Sequence, residues 1–427
     1  MKPLSILEIN TMDVKGGAAQ IVRQLTEALR TRGHRVSLLV GYKQSEDPTV
    51  YSTYDHTFNN LMSALIKRNF RSRLQHRLTY WLANDIAWLP GRNIFRLQAF
   101  KTADLVHAHN LHSLYFNLKL LPKLSAAKPF VWTLQDMWAL TGGAAHAFDC
   151  PHWPTGGCSC KLPNSLPAMR WNNSRHLWRL KHRIYERSNA HLVVPSQWLY
   201  DKVKQGMLKD KPITLIYNGV DTSVFQPGEK QKARTLLGLP SDKKIVLLNS
   251  KKGSGNVWKG WEYSQRLIEQ HGDNDHILFV SLGQYNKVRA SGGNVISIPF
   301  TTNREQLRNY YVASDIFLHP SVADTCPLVV LEAMACGVPV LTFATGGIPE
   351  QVEHKIHGYV ARYRDYEDLN QGLEYLLGRP QAETEQMADR CVSRVEQQFS
   401  LKKMVERYLE LFQSIVAEKN ALPGPKS

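Results

Sequence analysis

Two carboxylates stand close together in "SVADTCPLVVLEAMACGVPV", residues 321–340. Asp324 falls in a polar stretch. Glu332 follows an apolar run that reads as the start of a buried helix. Such a pair can perform general acid/base chemistry or can hold a ligand. A glycosidase pair flanks the bond it breaks, with its carboxyl groups several ångströms apart. One loop-and-helix segment does not suggest that arrangement. Holding a ligand suits it better, because a helix opening at Leu328, after Thr325, Cys326 and Pro327, aims unpaired N–H groups at an anion. The plainer reading is an acid favoured by a helix dipole. It accounts for Asp324 alone and leaves the rest of the segment unexplained.

Other reactive or ligand-binding types recur at the ends of strand-like runs. Gly16 and Gly17 follow the first apolar run, where glycine permits close approach of backbone to ligand. His109 ends "DLVHAH", with His107 and His112 read as packing histidines beside it. Lys251 and Lys252 lie in "SKKGSG" and Lys259 in "VWKGW". Asp136 lies in "TLQDMW". Cys150, Cys158 and Cys160 crowd "CPHWPTGGCSC".

These residues need elements to position them. "PLSILEIN" reads as a short buried strand, "AAQIVRQLTEALRTRG" as a helix stopped by Gly33, and "HRVSLLVG" as a second strand, which makes a βαβ unit. "DLVHAHN", "FVWTL" and "AHLVVPS" continue the series. The second half repeats the grammar with "KKIVLLNS", "HILFVSLG", "NVISIPF", "SDIFLHPS", "VPVLTFA" and "GYVAR". Alternating strands and helices predict an α/β fold of two Rossmann-like, doubly wound parallel-sheet domains facing a cleft, with ligands at the carboxyl ends of strands. The expected boundaries are 1–212 and 213–397, with a C-terminal helix and tail over 398–427 packing back on the first domain.

At 427 residues the chain exceeds one ordinary core. Six cysteines, unevenly spread, do not make a secreted disulfide scaffold. No apolar run is long enough to span a bilayer, and "MKPLSILEINTMD" lacks a signal-peptide core. The expectation is a cytoplasmic protein with reduced thiols. The net charge of +16 favours anionic partners. It does not choose among nucleic acid, phosphorylated small molecules and an acidic membrane face.

The blocks "KGGAAQIVRQLTEALRTRGHRVSLL", "DLVHAHNLHS", "VWTLQDMWALTGG", "VVPSQW", "IYNGVDTSVFQP", "WKG", "YYVASDIFLHPSVADTCPLVVLEAMACGVPVLTFATGGIPEQV" and "HGYV", in this order, resemble the glycosyltransferases of family four, with the two-domain GT-B fold. The resemblance covers nearly the whole chain. It is nearest to a subgroup common in bacterial polysaccharide and lipopolysaccharide assembly. It implies a retaining, metal-independent transferase without cofactor, taking a nucleotide-sugar donor and a saccharide or lipid-linked acceptor. It implies that Glu332 binds ribose hydroxyls and Asp324, where relatives carry Glu, a hydroxyl of the transferred sugar. Lys259 and one of Lys251 and Lys252 bind the diphosphate, with Gly16, Gly17 and the Thr325–Leu328 helix entry beside it. His109 faces the reacting sugar, and Asp136 is an acceptor-site candidate. Gln135 stands where relatives often carry His.

The cysteine segment departs from its relatives, which often show four cysteines there. Here three remain, with Ala144 at the missing position and His146 or His152 as possible fourth zinc ligands. A packed loop with free thiols is the simpler expectation. Residues 60–82 place Met62, Ile66, Phe70, Leu74, Leu78 and Leu82 at four-residue spacing, with Lys67, Arg68, Arg71, Arg73 and Arg77 between them. The basic stretch "MRWNNSRHLWRLKHRIYERS" is similar. Such helices can lie on anionic lipid or can be ordinary core helices with a basic outer face. Two rival functions remain. One is another GT-B activity, a phosphorylase or a sugar-nucleotide epimerase. The other is nucleic-acid binding, for which no helix-turn-helix or aromatic RNA-binding signature is present.

Overall fold

The computed structural model describes residues 2–14, 16–53, 77, 80–86, 92–112, 115–156, 170–249, 257–283, 294–299 and 301–421. They form two units, Met1–Ile216 with Val405–Ser427, and Tyr217–Met404.

The first unit is built on β1 (Ser5–Met12), β2 (Arg35–Tyr42), β3 (Val50–Ser52), β4 (Leu105–Ala108), β5 (Phe130–Thr133), β6 (Ala190–Val194) and β7 (Ile213–Leu215). They pair in parallel in the order β3-β2-β1-β4-β5-β6-β7. The chain runs outward from β1 to β3, then returns to β4 on the other side of β1. That reversal is the switch point at which doubly wound sheets open a crevice beyond their strand ends. The helix Gly17–Thr31 covers the sheet with Ile21, Val22, Leu25 and Leu29, a three-to-four-residue spacing that keeps one face inward. Gly33, at φ 87, ends it in a conformation that side chains resist.

The terminal helix Leu401–Ala421 returns to this first unit from Val405 onward, as expected. Its Tyr408 and Phe412 rings each lie 5.1 Å from the His107 ring on β4. Both are buried, and burial of such side chains contributes roughly 1.5–3 kcal/mol each.

The second unit holds β8 (Lys244–Asn249), β9 (Ile277–Leu282), β10 (Val295–Ile298), β11 (Ile316–His319), β12 (Val340–Phe343) and β13 (Gly358–Ala361). All pair in parallel, in the order β10-β9-β8-β11-β12-β13, so the switch point lies between β8 and β11. Both faces of this sheet are covered, so β8, β9 and β11 are near-continuous apolar runs. The helix Leu328–Ala335 buries every residue except Val329, Glu332 included.

Every strand expected from the sequence is present. The short β3 and β7 were not expected, because three residues carry no readable periodicity. β7 falls at the start of the expected second domain, 213–397, yet it pairs with β6 and completes the first sheet. Among the described residues no helix is long and apolar enough to cross a membrane.

Candidate active site

Past β11 the chain turns through Ser321–Pro327 into the helix Leu328–Ala335. This turn is tied down before it reaches the helix. The Trp258 carbonyl accepts from Ser321 Oγ (2.9 Å) and from the backbone N–H groups of Val322 (2.8 Å) and Ala323 (3.2 Å). Two glycines let neighbouring backbone close in. Gly260 sits at φ 61, where a Cβ would lie 1.8 Å from the Pro320 backbone oxygen, and Gly346 at φ 54, where a Cβ would lie 1.7 Å from the Asp324 backbone oxygen. These anchors set Lys259 beside Asp324.

Lys259 Nζ donates to Asp324 Oδ2 at 2.7 Å, and His319 Nε2 donates to the same oxygen at 3.0 Å. Burial alone would raise the Asp324 pKa. The Lys259 charge, then the bond and charge of His319, outweigh it and hold the carboxyl far below the usual range. Burial, together with the charge of Lys259, draws His319 below its ordinary value. The Lys259 side chain is 38 % exposed and that of Asp324 17 %, so both can meet a ligand. The sequence reading missed His319. Its signal was faint, a polar residue ending an apolar strand five positions before the acid.

Glu332 stands differently. It is 2 % exposed and accepts from Tyr311 Oη at 3.2 Å. Thr325, Cys326 and Leu328 are buried as well. Cys326 packs inward, with Gln351 Nε2 at 3.3 Å from its sulfur and Asn218 Nδ2 on its carbonyl at 3.1 Å. Burial pushes its thiol up to about 12, so it stays protonated. Pro327 precedes the helix, whose first turn has no side-chain cap. Lys251 and Lys252 lie outside the described residues.

In the first unit, Gly16 has φ 108, and among the described residues, the adjoining chain apart, no atom lies within 4 Å of where a Cβ would sit on Gly16 or Gly17. The helix they open has neither a side-chain cap nor an acid in its first turn. His109 lies just past β4, fully buried, with Nε2 3.0 Å from Glu8 Oε2. His107 Nδ1 lies 3.1 Å from Glu8 Oε1. Burial and the neighbouring His107 charge lower His109 to about 4. Glu8 is held at about 2: burial would raise it, and the charge and bond of His107, then those of His109, prevail. Glu8, His107 and His109 each offer an atom within 4.8 Å of the others, a set that could hold a metal ion. The sequence reading overlooked Glu8 and took His107 for packing.

Asp136 accepts from the Trp138 backbone N–H at 2.8 Å and faces His112 Nε2 at 3.2 Å. Both side chains are 18 % exposed. His112, read as a packing histidine, thus faces the acceptor-site candidate. Lys181, also unforeseen, is fully buried and donates to the carbonyls of Trp138 (2.6 Å) and Thr141 (3.1 Å). Burial lowers it to about 7, against the raising charges of Asp85 and Asp136. It pins the loop that carries Asp136.

The cysteine expectation needs correction. Cys150 is disulfide-bonded, whereas Cys326, Cys336 and Cys391 are free and buried. A disulfide sulfur carries no thiolate for zinc. Cys158 and Cys160 lie outside the described residues.

Residues 15–224 match the family described as Glycosyltransferase Family 4, and residues 287–398 match Glycosyl transferases group 1. A protein of Escherichia coli (strain K12) named as a colanic acid biosynthesis glycosyl transferase, WcaC, is 25% identical over 352 residues, spanning 79% of this chain and 82% of its own. The fold is similar to sucrose-phosphate synthase from Thermosynechococcus elongatus (TM-score 0.68, 18% identity, 97% of this chain and 99% of that one). It is also similar to Anabaena HepE solved with UDP and glucose (TM-score 0.65, 16% identity, 96% and 100%). Both neighbours establish the GT-B architecture. One matched segment spans β2–β7 with Glu8's partners His107 and His109, the other spans β11 with Asp324, and the chain belongs to the glycosyltransferases of the family-4 type.

Proposed function

We propose that the chain moves a sugar from a nucleotide-sugar donor to a hydroxyl of a saccharide or lipid-linked saccharide, with retention of configuration and without a metal ion. One observation carries this reading. Lys259 and His319 converge on Asp324 Oδ2 beside the N-terminus of Leu328–Ala335. A cation and a helix end suit the phosphates of a nucleoside diphosphate. In this reading Asp324 Oδ1, which takes neither bond, accepts from a hydroxyl of the transferred sugar. Lys259 neutralises charge as the diphosphate departs. The departing phosphate oxygen takes the acceptor proton on the same face, so no separate base is required. In this reading Glu332 holds the ribose, His109 faces the sugar, and Asp136 with His112 meets the acceptor. HepE, solved with UDP and glucose, supports the donor class. WcaC, named for colanic acid biosynthesis, supports a polysaccharide acceptor.

Screening UDP-, GDP- and ADP-sugars by thermal shift should find one that raises the melting temperature, since a ligand that binds the folded state stabilises it. That donor should then support transfer with retained configuration, unchanged by EDTA. Loss of transfer in EDTA would sink the metal-independent reading.

The same reading extends to an acidic membrane face. Tyr80, Trp81, Leu82 and Trp171 are exposed large apolar side chains. Arg170 lies 3.7 Å over the Trp81 ring, and Trp171 Nε1 donates to the Trp81 carbonyl. Aromatic rings beside arginine suit the headgroup layer of an anionic bilayer. Most of residues 60–82 lies outside the described residues. Sedimentation with acidic vesicles at low salt, equalled by neutral vesicles, would count against an electrostatic attachment.

A further inference from the structure

The first unit contains a hydrogen-bonded chain of which the proposed transfer uses only the last member, His109. It begins on the terminal helix. Tyr408 Oη lies 2.9 Å from Thr133 Oγ1 on β5, which lies 2.7 Å from His107 Nε2 on β4. His107 Nδ1 spans the Glu8 carboxylate on β1, 3.1 Å from Oε1 and 3.0 Å from Oε2, and His109 Nε2 meets Oε2 at 3.0 Å. The sheet dictates this meeting. Glu8 and His107 are register partners across β1 and β4, and residues two apart along an extended chain, His107 and His109, share a face. Glu8, His107, His109 and Thr133 are 0% exposed.

The proton positions on the two histidines follow from simple rules. An ionised carboxylate only accepts hydrogen bonds. Glu8 has an imidazole nitrogen of each histidine within 3.1 Å and accepts from both as the carboxylate. Each ring nitrogen that faces it must therefore carry hydrogen, which puts the His109 proton on Nε2. The other nitrogen, Nδ1, is then a lone pair. It is buried and has no hydrogen-bond partner among the described residues. An orphan acceptor inside a protein calls for an explanation. This one sits just beyond β4 at the switch point with β1, the end of a doubly wound sheet that receives ligands.

We infer that Glu8 is a positioning residue. It fixes His109 as the Nε2–H tautomer, so that Nδ1 accepts a hydrogen bond from a ligand hydroxyl, while His107, Thr133 and Tyr408 hold Glu8 and its ring partners in place from the opposite side. This inference rests on the transferase reading for the identity of the hydroxyl, whether of the donor sugar or of the acceptor. The tautomer itself does not depend on that reading.

The test uses the full chain labelled with ¹⁵N in its histidine rings. The His109 signals are assigned from a His109→Gln variant. The wild type should show a protonated Nε2 and a lone-pair Nδ1 on His109. Glu8→Gln presents a donor as well as an acceptor, so the pattern should be lost or split between tautomers. Glu8→Asp, which keeps the carboxylate, should recover part of it. In transfer assays Glu8→Gln should lower kcat about tenfold to a hundredfold, the cost of a misplaced group. Its affinity for nucleoside diphosphate should stay within about twofold of the wild type, because that ligand lacks the hydroxyl concerned. A product formed from donor and water, compared with one formed from donor and acceptor, separates the two hydroxyl sources. A loss confined to acceptor transfer assigns the acceptor, and an equal loss in both assigns the donor sugar. Three results would overturn the inference: a His109 that carries its proton on Nδ1, a Glu8→Gln variant with unchanged ring signals and unchanged kcat, or a stoichiometric metal ion that leaves with the Glu8 carboxylate. If the wild type transfers no sugar from any nucleotide donor, the transferase reading fails. The ring signals then still decide the role of Glu8.

Discussion

Both sheets place a carboxylate and a histidine at the switch point, yet the two pairs are built for different work. At the end of β11, Asp324 meets His319 and a lysine whose side chain is 38 % exposed. On β1, Glu8 meets His107 and His109 with all three sealed from solvent. The β11 pair has beside it a part-exposed cation that can exchange one anionic partner for another. The sealed pair has only ring nitrogens, whose protons are fixed by the carboxylate between them. Similar chemical groups thus give a ligand clamp where solvent enters and a rigid positioning device where it does not. The cause is the cost of an unpaired charge, which grows as water is excluded.

Lys259→Ala is the sharpest way to break this contrast. If Lys259 carries charge that matters most as the diphosphate leaves, turnover should fall by about 10²–10³-fold, the typical cost of losing one stabilising donor. The chain should still fold, with a lowered melting temperature, because Asp324 loses the lysine that offsets its burial. Near-normal turnover would remove Lys259 from the mechanism.

Acid titration probes the sealed site. His109 is lowered to about 4, chiefly by burial. Between pH 6.5 and about 4 the unfolded chain therefore binds a proton that the folded chain refuses. The stability this contributes is complete above pH 6.5 and is lost as the pH falls towards about 4. It amounts to at most about 3 kcal/mol. Glu8, held at about 2, adds a loss that begins only below its ordinary carboxylate value of 4.5. Asp324 behaves likewise below 3.8. Melting temperatures followed from pH 7 to pH 4 should fall less steeply in His109→Gln than in the wild type. Equal slopes would show that the sealed site does not refuse the proton.

The smallest expected effect separates the two acids of residues 321–340. Glu332→Gln should weaken donor and free nucleoside diphosphate alike, by about 1.5–3 kcal/mol if one charge-assisted bond is lost. Asp324→Asn should weaken the intact donor and leave nucleoside diphosphate nearly unaffected. Calorimetry on both variants with both ligands measures this. Equal losses of nucleoside diphosphate binding would erase the division into a ribose-side and a sugar-side carboxylate. The burial of Glu332, 2 % exposed and bonded to Tyr311, makes this the more demanding test for Glu332.

Much of the architecture was legible in the sequence because a parallel sheet covered on both faces requires continuous apolar runs, and a covering helix requires its own spacing. Those patterns are local, and the order of "VHAHN", "VWKGW" and "ADTCPLVVLE" placed His109, Lys259, Asp324 and Glu332 at strand ends or helix starts. What stayed hidden was pairwise. Glu8 is one acid within an apolar strand, and its partner His107 lies 99 positions away. Lys181 looks like any surface lysine of a basic helix until its ammonium meets the carbonyl of Trp138, 43 positions earlier. His112 acquires a role only because the first sheet brings it to Asp136. The Cys150 disulfide ran against an expectation drawn from the number and spread of cysteines along the chain.

Sequence alone determined the two α/β halves, the strand ends that carry the site and the kinds of side chain available there. Each of these is set by neighbours along the chain, through periodicity and turn chemistry. Only the tertiary structure decided which groups share a proton and which of them water can reach. Register across β1 and β4, and the terminal helix laid over His107, bring together residues that local pattern cannot relate. The low dielectric they enclose then fixes the charge state of each.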